Sequence, residues 1–402
     1  MKLTIPRTNL QAALAAVKPV ARNPSPPILS NVLLVAKATP GSGSLTLTAT
    51  DLDLHLRVTL NAAVAAEGKT TVRAALLSDI IRMADVPDVS LELVKNQLRI
   101  ECGSARHLLP IIAPEEFPPF PAVKSPEGQG VDLALEDAFF RTMLAETSFA
   151  ASTEANRFTL CGNLIKLDGS QLHVVACDGR RIAVSSTDSP IPGKAAIILP
   201  VKVVRELLRL LGSDTSKPQR LNLTAAANLA QFSFNAGGVD ITLMSKLIEG
   251  NYPDYNKVVP KENVIANLPR AELLRAVEGI ALVSDGVTFE FTGATLRLHS
   301  AGKRGANMVG EASDSLLIPA NVKSPVHCTY SARYVCDTLT AIADDTLEFH
   351  LAPTGLGLFK TPSRDWRAVI APSKVSKRTP KPTEAKIAAQ KTEAAEAKTP
   401  KE

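Results

Sequence analysis

The chain alternates two kinds of hydrophobic pattern, and both recur along its length. In six stretches the apolar residues lie three or four positions apart, as at Leu10, Leu14 and Val17, which predicts helices with one buried face. These stretches are 8–17, 76–84, 135–146, 201–212, 269–281 and 331–343. The first, third and fifth open segments of similar length, and the others follow roughly 65–70 residues later. Pro200 and Pro269 are predicted in the first turn of their helices, where a missing N–H costs nothing.

Between the helices lie short runs in which apolar and polar residues alternate. This pattern is typical of antiparallel strands that bury one face. The turn pairs Lys95-Asn96 and Gly293-Ala294 separate neighbouring runs and predict hairpins. The runs are 44–49, 52–60, 89–94, 97–102, 171–176, 221–226, 231–236, 288–293 and 295–300. The sequence therefore predicts an α+β fold in which a unit of two helices and an antiparallel sheet occurs three times.

Proline-rich connectors at 117–130 and 258–265 set the expected domain boundaries. We expect domain I at 1–127, domain II at 128–260 and domain III at 261–375. Residues 376–402 are rich in Ala, Lys and Glu and contain no aromatic residue. Such a segment buries too little surface to offset its ordering entropy, so we predict a disordered tail.

Composition places the rest of the chain among globular proteins. Apolar residues make up 45% and charged residues 21% of the 402 residues. No apolar run reaches the length of about 18 residues that a membrane span needs, and we expect no signal peptide. The five cysteines form no C-x-x-C pair. We therefore expect reduced thiols in a cytoplasmic protein.

The residues that could carry catalysis are scattered. Asp51 and Asp53 would share a strand face and could suit a metal or a carboxylate pair, although a polar turn is the favoured interpretation. Cys161 in CGNL and Cys177 in CDGRR lie near Gly or Arg residues that could lower a thiol pKa, yet no histidine accompanies them, which favours buried small residues over reactive thiols. The six histidines are scattered, and several alternate with apolar neighbours in predicted strands, which favours outward-facing surface positions over metal ligation. Phosphate-binding glycine motifs are absent from the sequence. We expect no enzyme activity, no cofactor and no metal.

Basic residues follow a more regular pattern. The chain has a net charge of +5, of which the 376–402 tail contributes +3. Lys202, Arg205 and Arg209 lie on one face of a predicted helix. Basic residues on other predicted helices or at their ends are Arg7, Lys18, Arg82, Arg141, Arg275 and Arg333. These charges either form ordinary solvated faces or, if the repeats were arranged in a ring, line a hole suited to the phosphates of duplex DNA.

Four stretches resemble one family. They are ARNPSPPILSNVLLVA (21–36), LTATDLDLHLRV (47–58), VVACDGRRIAV (174–184) and KLIEGNYPDYNKVVP (246–260). In this order, and with the threefold repeat, they resemble the bacterial DNA polymerase III β subunits, the β sliding clamps. The resemblance implies a non-enzymatic DNA clamp fold. Two subunits would close head to tail into a ring dimer, with sheets outside and helices around duplex DNA, and would tether the replicative polymerase for processive replication.

The same resemblance implies three sets of site residues. For sequence-independent contact with double-stranded DNA they are Arg22, Asn23, Arg82, Arg157, Phe158, Lys202, Arg205 and Arg209. For a hydrophobic cleft that receives partner peptides they are Leu160, Cys177, Gly179, Arg181, Ile182, Pro253, Lys257, Val258, Val369, Ile370 and Pro372. For the dimer interface they are Leu76, His107, Leu109, Leu282 and Val283.

The implied partners are the polymerase III α subunit, the clamp-loader δ subunit, other clamp-motif proteins and a second copy of the chain, with no membrane. The implied location is the cytoplasm, in association with the nucleoid. Two departures from the family stand out: Phe158-Thr159 replaces two tyrosine-like residues, and IAPSKV (370–375) replaces a Met-Pro-Met-Arg-Leu-like end. Two alternatives stay open, a divergent clamp-like protein that competes for clamp partners and a hydrolase that uses Asp51 and Asp53 or Cys177.

Overall fold

A computed structural model describes the chain except for 23–24, 40–41, 124–129, 213–218, 227, 262, 294, 302–309, 319, 323 and 374–402. The chain forms two compact units. Unit 1 consists of Met1–Lys261, Ala341–Asp344 and Leu358–Val369. Unit 2 consists of the described residues of Glu262–Thr340, Asp345–Gly357 and Ile370–Glu402. The predicted disordered tail lies outside the described residues.

The six predicted helices are all present, with ends that shift by at most three residues. They are α1 (Arg7–Val17), α2 (Ala74–Met83), α3 (Asp137–Ser148), α4 (Val201–Leu210), α5 (Arg270–Ala281) and α6 (Ala332–Thr340). Short 3-10 helices cover Pro27–Ser30, Pro114–Glu116, Ala155–Leu160 and Tyr255–Lys257. The prediction for Pro200 and Pro269 was wrong by one position. Both prolines precede the first helical residue with extended backbone, because each also ends the preceding strand.

The described residues contain twenty-three strands. The first twelve are β1 (Lys2–Pro6), β2 (Asn31–Thr39), β3 (Ser42–Thr50), β4 (Leu54–Asn61), β5 (Ala63–Ala66), β6 (Gly68–Arg73), β7 (Asp88–Val94), β8 (Gln97–Cys102), β9 (Ala105–Pro110), β10 (Gly130–Glu136), β11 (Gly162–Cys177) and β12 (Arg181–Pro200). The remainder are β13 (Arg220–Ala226), β14 (Leu229–Ala236), β15 (Val239–Lys246), β16 (Val264–Pro269), β17 (Gly286–Phe291), β18 (Leu296–Ala301), β19 (Ser313–Leu316), β20 (Val326–Ser331), β21 (Thr346–Leu351), β22 (Gly357–Lys360) and β23 (Trp366–Ile370).

Unit 1 is built on antiparallel sheets. One sheet has the order β5-β1-β7-β8-β9, and a second has the order β10-β13-β14-β15-β4-β3-β2-β6. The second sheet joins distant parts of the chain, since Ile241 of β15 is opposite Val58 of β4. The long hairpin of β11 and β12 continues through β23 to β22. In unit 2, β19-β18-β17-β20 form one sheet and β16 pairs with β21.

Each unit buries its apolar faces in the way that the sequence pattern predicts. In unit 1, Leu10, Leu14 and Val17 of α1 are fully buried in the main core. Phe140 of α3 stacks on Phe232 of β14, with ring centroids 6.2 Å apart. In unit 2 the core centres on four aromatic side chains with ring centroids 5.3–6.4 Å apart, namely Phe289, Phe291, Tyr330 and Phe349.

Four helices of unit 1 lie side by side. α1 packs against α2, and α3 packs against α4. Arg209 of α4 joins the two pairs, because its guanidinium donates to the backbone carbonyls of Ala15 (3.2 Å) and Ala16 (2.6 Å) in α1. The helices therefore form one row in the order α2, α1, α4, α3. This row brings together helices that are far apart in the sequence.

The structure corrects two predictions from the strand pattern. β4 begins at Leu54 rather than at residue 52, because the Asp51 side chain accepts hydrogen bonds from the backbone N–H groups of Asp53 (3.2 Å) and Leu54 (2.9 Å) and so forms a turn. The outward-facing assignment was wrong for His55 and His350, which are 7% and 1% exposed. Burial lowers the pKa of His55, so its neutral form is favoured.

Candidate functional site

The loop after β15 covers a small hydrophobic cluster in unit 1 that is separate from the main core. We call this the side cluster; its members are Leu164, Val175, Cys177, Ile182, Val184, Ile198, Ile248 and Tyr255. Leu160, Cys161 and Tyr252 pack against it. The loop turns sharply at Gly250, whose φ of +124° lies in the region that favours glycine. The side cluster thus attaches the loop to the β11–β12 hairpin.

Both tyrosines of this loop serve as anchors. Tyr255 is 5% exposed within the side cluster, and Tyr252 is half-buried against it. Burial raises the pKa of both phenols above the usual range, so both stay neutral. The burial of both rings holds the loop in place. Pro253, Lys257 and Val258 are among the residues that the loop exposes to solvent.

A tight turn at the end of the β11–β12 hairpin lies beside the side cluster. The Asp178 carboxylate accepts from the backbone N–H groups of Arg180 (2.8 Å) and Arg181 (3.0 Å). Gly179 has a φ of +86°, and its N–H donates to Cys177 Sγ at 3.2 Å. Burial raises the pKa of the Cys177 thiol, which favours the unreactive protonated form. Cys177 is therefore a buried packing residue rather than a nucleophile.

Arg181 lies beneath the surface of this turn. The residue is 7% exposed, and its Nε donates to Asp178 Oδ2 at 3.1 Å. Its Nη2 donates to the Phe149 carbonyl at 2.7 Å, and Cζ lies 5.3 Å from the Phe149 ring centroid. Arg181 therefore connects the turn to the end of α3 instead of presenting its charge to solvent.

The Ala155–Leu160 segment borders the same turn. Its last residue, Leu160, is half-buried against the side cluster, whereas Phe158 is 63% exposed. Arg157 has a non-helical backbone (φ −111°, ψ 53°), and its Nη1 donates to the Asp178 carbonyl. Its Nε pairs with Glu154 Oε2 at 3.1 Å. The segment thus carries residues predicted for two different sites, Leu160 for the cleft and Phe158 for DNA.

The other predicted cleft residues differ widely in exposure. Ile182 and Val369 are 5% and 2% exposed in unit 1, and Ile182 belongs to the side cluster. Gly179, like the exposed residues of the 248–258 loop, is open to solvent. Ile370 and Pro372 belong to unit 2, where Ile370 is buried and Pro372 is exposed.

Most of the predicted DNA-contact residues are exposed, but several already have acidic or carbonyl partners. Lys202 of α4 pairs with Asp51, and Arg209 pairs with Glu206 and with α1. Arg205 is exposed and makes no ion pair within the described residues. Arg22 is exposed after α1, and Arg82 of α2 lies 3.7 Å from Asp79. Asn23 lies outside the described residues. The face of the helix row is therefore only weakly positive.

The predicted dimer-interface residues of unit 1 lie on an edge strand and on α2, and those of unit 2 follow α5. β9 is an edge strand of its sheet and exposes His107. Leu109 is only 9% exposed and packs in the core of unit 1, whereas its neighbour Leu108 is 50% exposed. Leu76 at α2 is 43% exposed. In unit 2, Leu282 is 66% exposed after α5, and Val283 is half-buried.

The structure favours the polar-turn interpretation of Asp51 and Asp53. The two acids do not share a strand face, since they form the turn before β4, and Asp53 pairs with Lys246 at 2.9 Å. Among the described residues, no three or more His, Cys, Asp or Glu residues are grouped as a metal site. No helix within the described ranges has the length and apolar character of a membrane span.

Comparison with known proteins agrees with this architecture. Helices in one row over antiparallel sheets define the class as a DNA clamp. The family model of the DNA polymerase III beta subunit N-terminal domain matches residues 1–121, and the family model of the central domain matches residues 134–254. The chain belongs to the beta sliding clamp family, the DNA polymerase III beta subunits.

Two relatives and one solved structure show the extent of the similarity. A beta sliding clamp of Caulobacter vibrioides is 31% identical over 372 residues, which are 88% of this chain and 93% of the relative. One from Synechococcus elongatus is 30% identical over 365 residues, with 87% and 92% covered. A crystal structure of a sliding clamp from Pseudomonas aeruginosa, bound to griselimycin, has a TM-score of 0.84 at 26% identity and covers 93% of this chain and 100% of that chain.

Proposed function

We infer that the protein is a DNA sliding clamp of replication, which encircles duplex DNA and tethers the replicative polymerase. Two copies would close head to tail, with the helix row toward the channel and the sheets outside, and the domains would be 1–127, 128–260 and 261–375. The α polymerase subunit, the clamp-loader δ subunit and other clamp-motif proteins would be its partners in the cytoplasm. The observation that carries this proposal is the row of four helices over antiparallel sheets in a chain of the clamp family.

The modest charge of the helix row suits a protein held on DNA by topology. A closed ring stays on DNA without tight contacts, and weak, salt-screened attraction lets it slide. Arg205 offers an exposed charge, while the charge of Lys202 is partly offset by Asp51. A tethered polymerase has a high effective concentration at the primer end, so dissociation is followed by rebinding.

The surface above the side cluster supports the peptide-binding part of the proposal. Half-buried Leu160 and exposed Pro253 and Val258 offer apolar contacts to an extended segment with a Leu or Phe anchor. Lys257 and the Asp178–Arg181 turn supply a polar rim. The hydrolase alternative loses its support, because Asp51 and Asp53 are paired with lysines and the Cys177 thiol is buried.

The topological mechanism is tested on circular DNA. The protein is loaded on nicked circular DNA with a clamp loader and ATP, and half of the sample is then linearised. We expect retention on the circle and loss from the linear form. Equal retention on both forms would exclude a ring that holds DNA by encircling it.

The cleft is tested separately with a fluorescent peptide that carries Gln-Leu-Ser-Leu-Phe. We expect measurable binding to the unmodified protein and weaker binding after the double change Arg181→Ala and Pro253→Ala. Unchanged affinity in the double variant would show that the peptide binds elsewhere. A divergent clamp that only competes for partners would bind this peptide yet fail the loading test.

A further inference from the structure

Arg157 lies between the two predicted sites, at the junction of the Ala155–Leu160 segment and the Asp178–Arg181 turn. Its side chain is 39% exposed, and its guanidinium has two partners on the protein. One is the Glu154 carboxylate in its own segment, and the other is the backbone carbonyl of Asp178 in the turn. The family resemblance assigns Arg157 to DNA, but these contacts direct it toward the peptide surface.

The contact with Asp178 belongs to a continuous network. Asp178 uses its carboxylate for Arg181 and its carbonyl for Arg157, and Arg181 in turn donates to Phe149. The turn is therefore held from one side by the end of α3 and from the other side by the Ala155–Leu160 segment. Hydrogen bonds with a charged donor are the stronger ones, so each tie restricts the turn appreciably.

Gly179 provides the space for this arrangement. A Cβ atom at this position would run into Arg157 Nη1, so the guanidinium lies directly on the backbone of the turn. Leu160 of the same segment also packs against the side cluster, which contains Cys177 and Ile182. The Arg157 guanidinium adds a polar contact at the turn itself and so helps to fix the position of Gly179.

We propose that Arg157 is a positioning residue of the peptide site and not a phosphate ligand of DNA. It holds the Asp178–Arg181 turn in the position in which Gly179 meets a bound peptide segment. This proposal rests on the proposed function of the surface as a peptide site. It assigns Arg157 to the recognition of an extended apolar segment, although Arg157 need not touch that segment itself.

The experiment compares Arg157→Ala and Arg157→Lys with a matched control, Arg220→Ala. Arg220 is exposed at the start of β13, outside the predicted sites, and its side chain makes no ion pair or hydrogen bond within the described residues, so its removal changes the charge alone. Affinity for the Gln-Leu-Ser-Leu-Phe peptide is measured by fluorescence anisotropy. We expect roughly three- to tenfold weaker binding for Arg157→Ala, the range that the loss of one such hydrogen bond gives. Lys should restore part of the affinity, and Arg220→Ala should stay within twofold of the unmodified protein.

Two further measurements separate positioning from general damage and from DNA binding. Hydrogen exchange of the turn amides should become faster in Arg157→Ala while the thermal midpoint stays unchanged. The salt dependence of binding to a duplex oligonucleotide should also stay unchanged. A salt slope that falls by about one for Arg157→Ala would identify a phosphate ligand and overturn the proposal, as would unchanged peptide affinity. Failure of the unmodified protein to bind the peptide would instead refute the proposed peptide site itself.

Discussion

Replacing Glu146 of α3 with Gln should remove a pH dependence from the stability of unit 1. The Glu146 side chain is 5% exposed and pairs with Arg364 through Oε1, whereas Oε2 has no partner within the described residues. Burial outweighs the attraction of Arg364 and raises the pKa of this carboxyl to about 7. The Trp366 indole N–H donates to the Glu146 backbone carbonyl at 3.1 Å, so a fluorescent side chain adjoins the site.

The expected magnitude follows from the difference between folded and unfolded pKa. Below pH 4.5 the Glu146 carboxyl is protonated in both states. As the pH rises to about 7, the unfolded state releases its proton and the folded state retains it, so the free energy of unfolding falls. A pKa raised from 4.5 to about 7 corresponds to a loss of about 3 kcal/mol across this window. Above the window the contribution is constant.

The assay is urea unfolding at several pH values, followed by the emission of Trp366, the single tryptophan of the chain. Histidines that titrate in the same window are common to both proteins, so the difference between unmodified protein and Glu146→Gln isolates the carboxyl. That difference should grow in favour of the Gln variant between pH 5 and pH 7.5. Glu116→Gln, at an exposed glutamate of unit 1, should reproduce the unmodified slope. An identical slope for Glu146→Gln would refute the reasoning.

Three other changes test the surfaces of the molecule. Gly179→Ala should lower the free energy of unfolding by about 1–2 kcal/mol because of the left-handed backbone, and it should weaken peptide binding because the new Cβ meets Arg157 Nη1. Gly169 also has a left-handed backbone but has open space around it, so Gly169→Ala should leave peptide affinity unchanged in the anisotropy assay. Arg205→Ala should lower the salt dependence of duplex binding more than Lys202→Ala, whose charge is already paired; equal slopes would contradict this ranking. Leu108→Asp on the edge strand should convert a dimer to a monomer of 42.7 kDa in light scattering at micromolar concentration, and an unchanged mass would place the interface elsewhere.

The helices could be predicted from the sequence because their burial repeats locally. In α4, Val204 and Leu207 are buried while Arg205 and Arg209 are exposed, as the spacing predicts. The alternating pattern predicted strands that bury a single face, such as β7 and β8 on either side of Lys95-Asn96.

The β11–β12 hairpin escaped prediction for most of its length. β12 has twenty residues and includes Pro190 and Pro192, which ordinarily exclude a central strand. The pairing shifts between Gly169 and Gln171, which lie opposite Gly193 and Asp188. Both prolines fall within this shift of register, where a residue without an N–H is tolerated, so the strand continues through a sequence that suggests a loop.

The contacts that hold the candidate site were beyond sequence reasoning. Arg157 reaches a backbone carbonyl 21 residues away, and Trp366 reaches one 220 residues away. Every residue has a backbone carbonyl, so residue type does not show which carbonyl a side chain contacts. The only sequence signal was the Asp178-Gly179 pair, which predicts a turn but not what fixes it. Nor does residue type show that Arg181 points inward.

The pairing of β4 with β15 means that a cut in the chain between them divides a single sheet. These strands come from residues about 180 apart, yet they are neighbours in the middle of one eight-stranded sheet. Cutting the chain between β9 and β10 would leave each fragment with a long, exposed strand edge, and such edges recruit other strands. Separately produced fragments should therefore aggregate alone and reassemble when mixed, which makes this junction a natural place for a split-protein reporter.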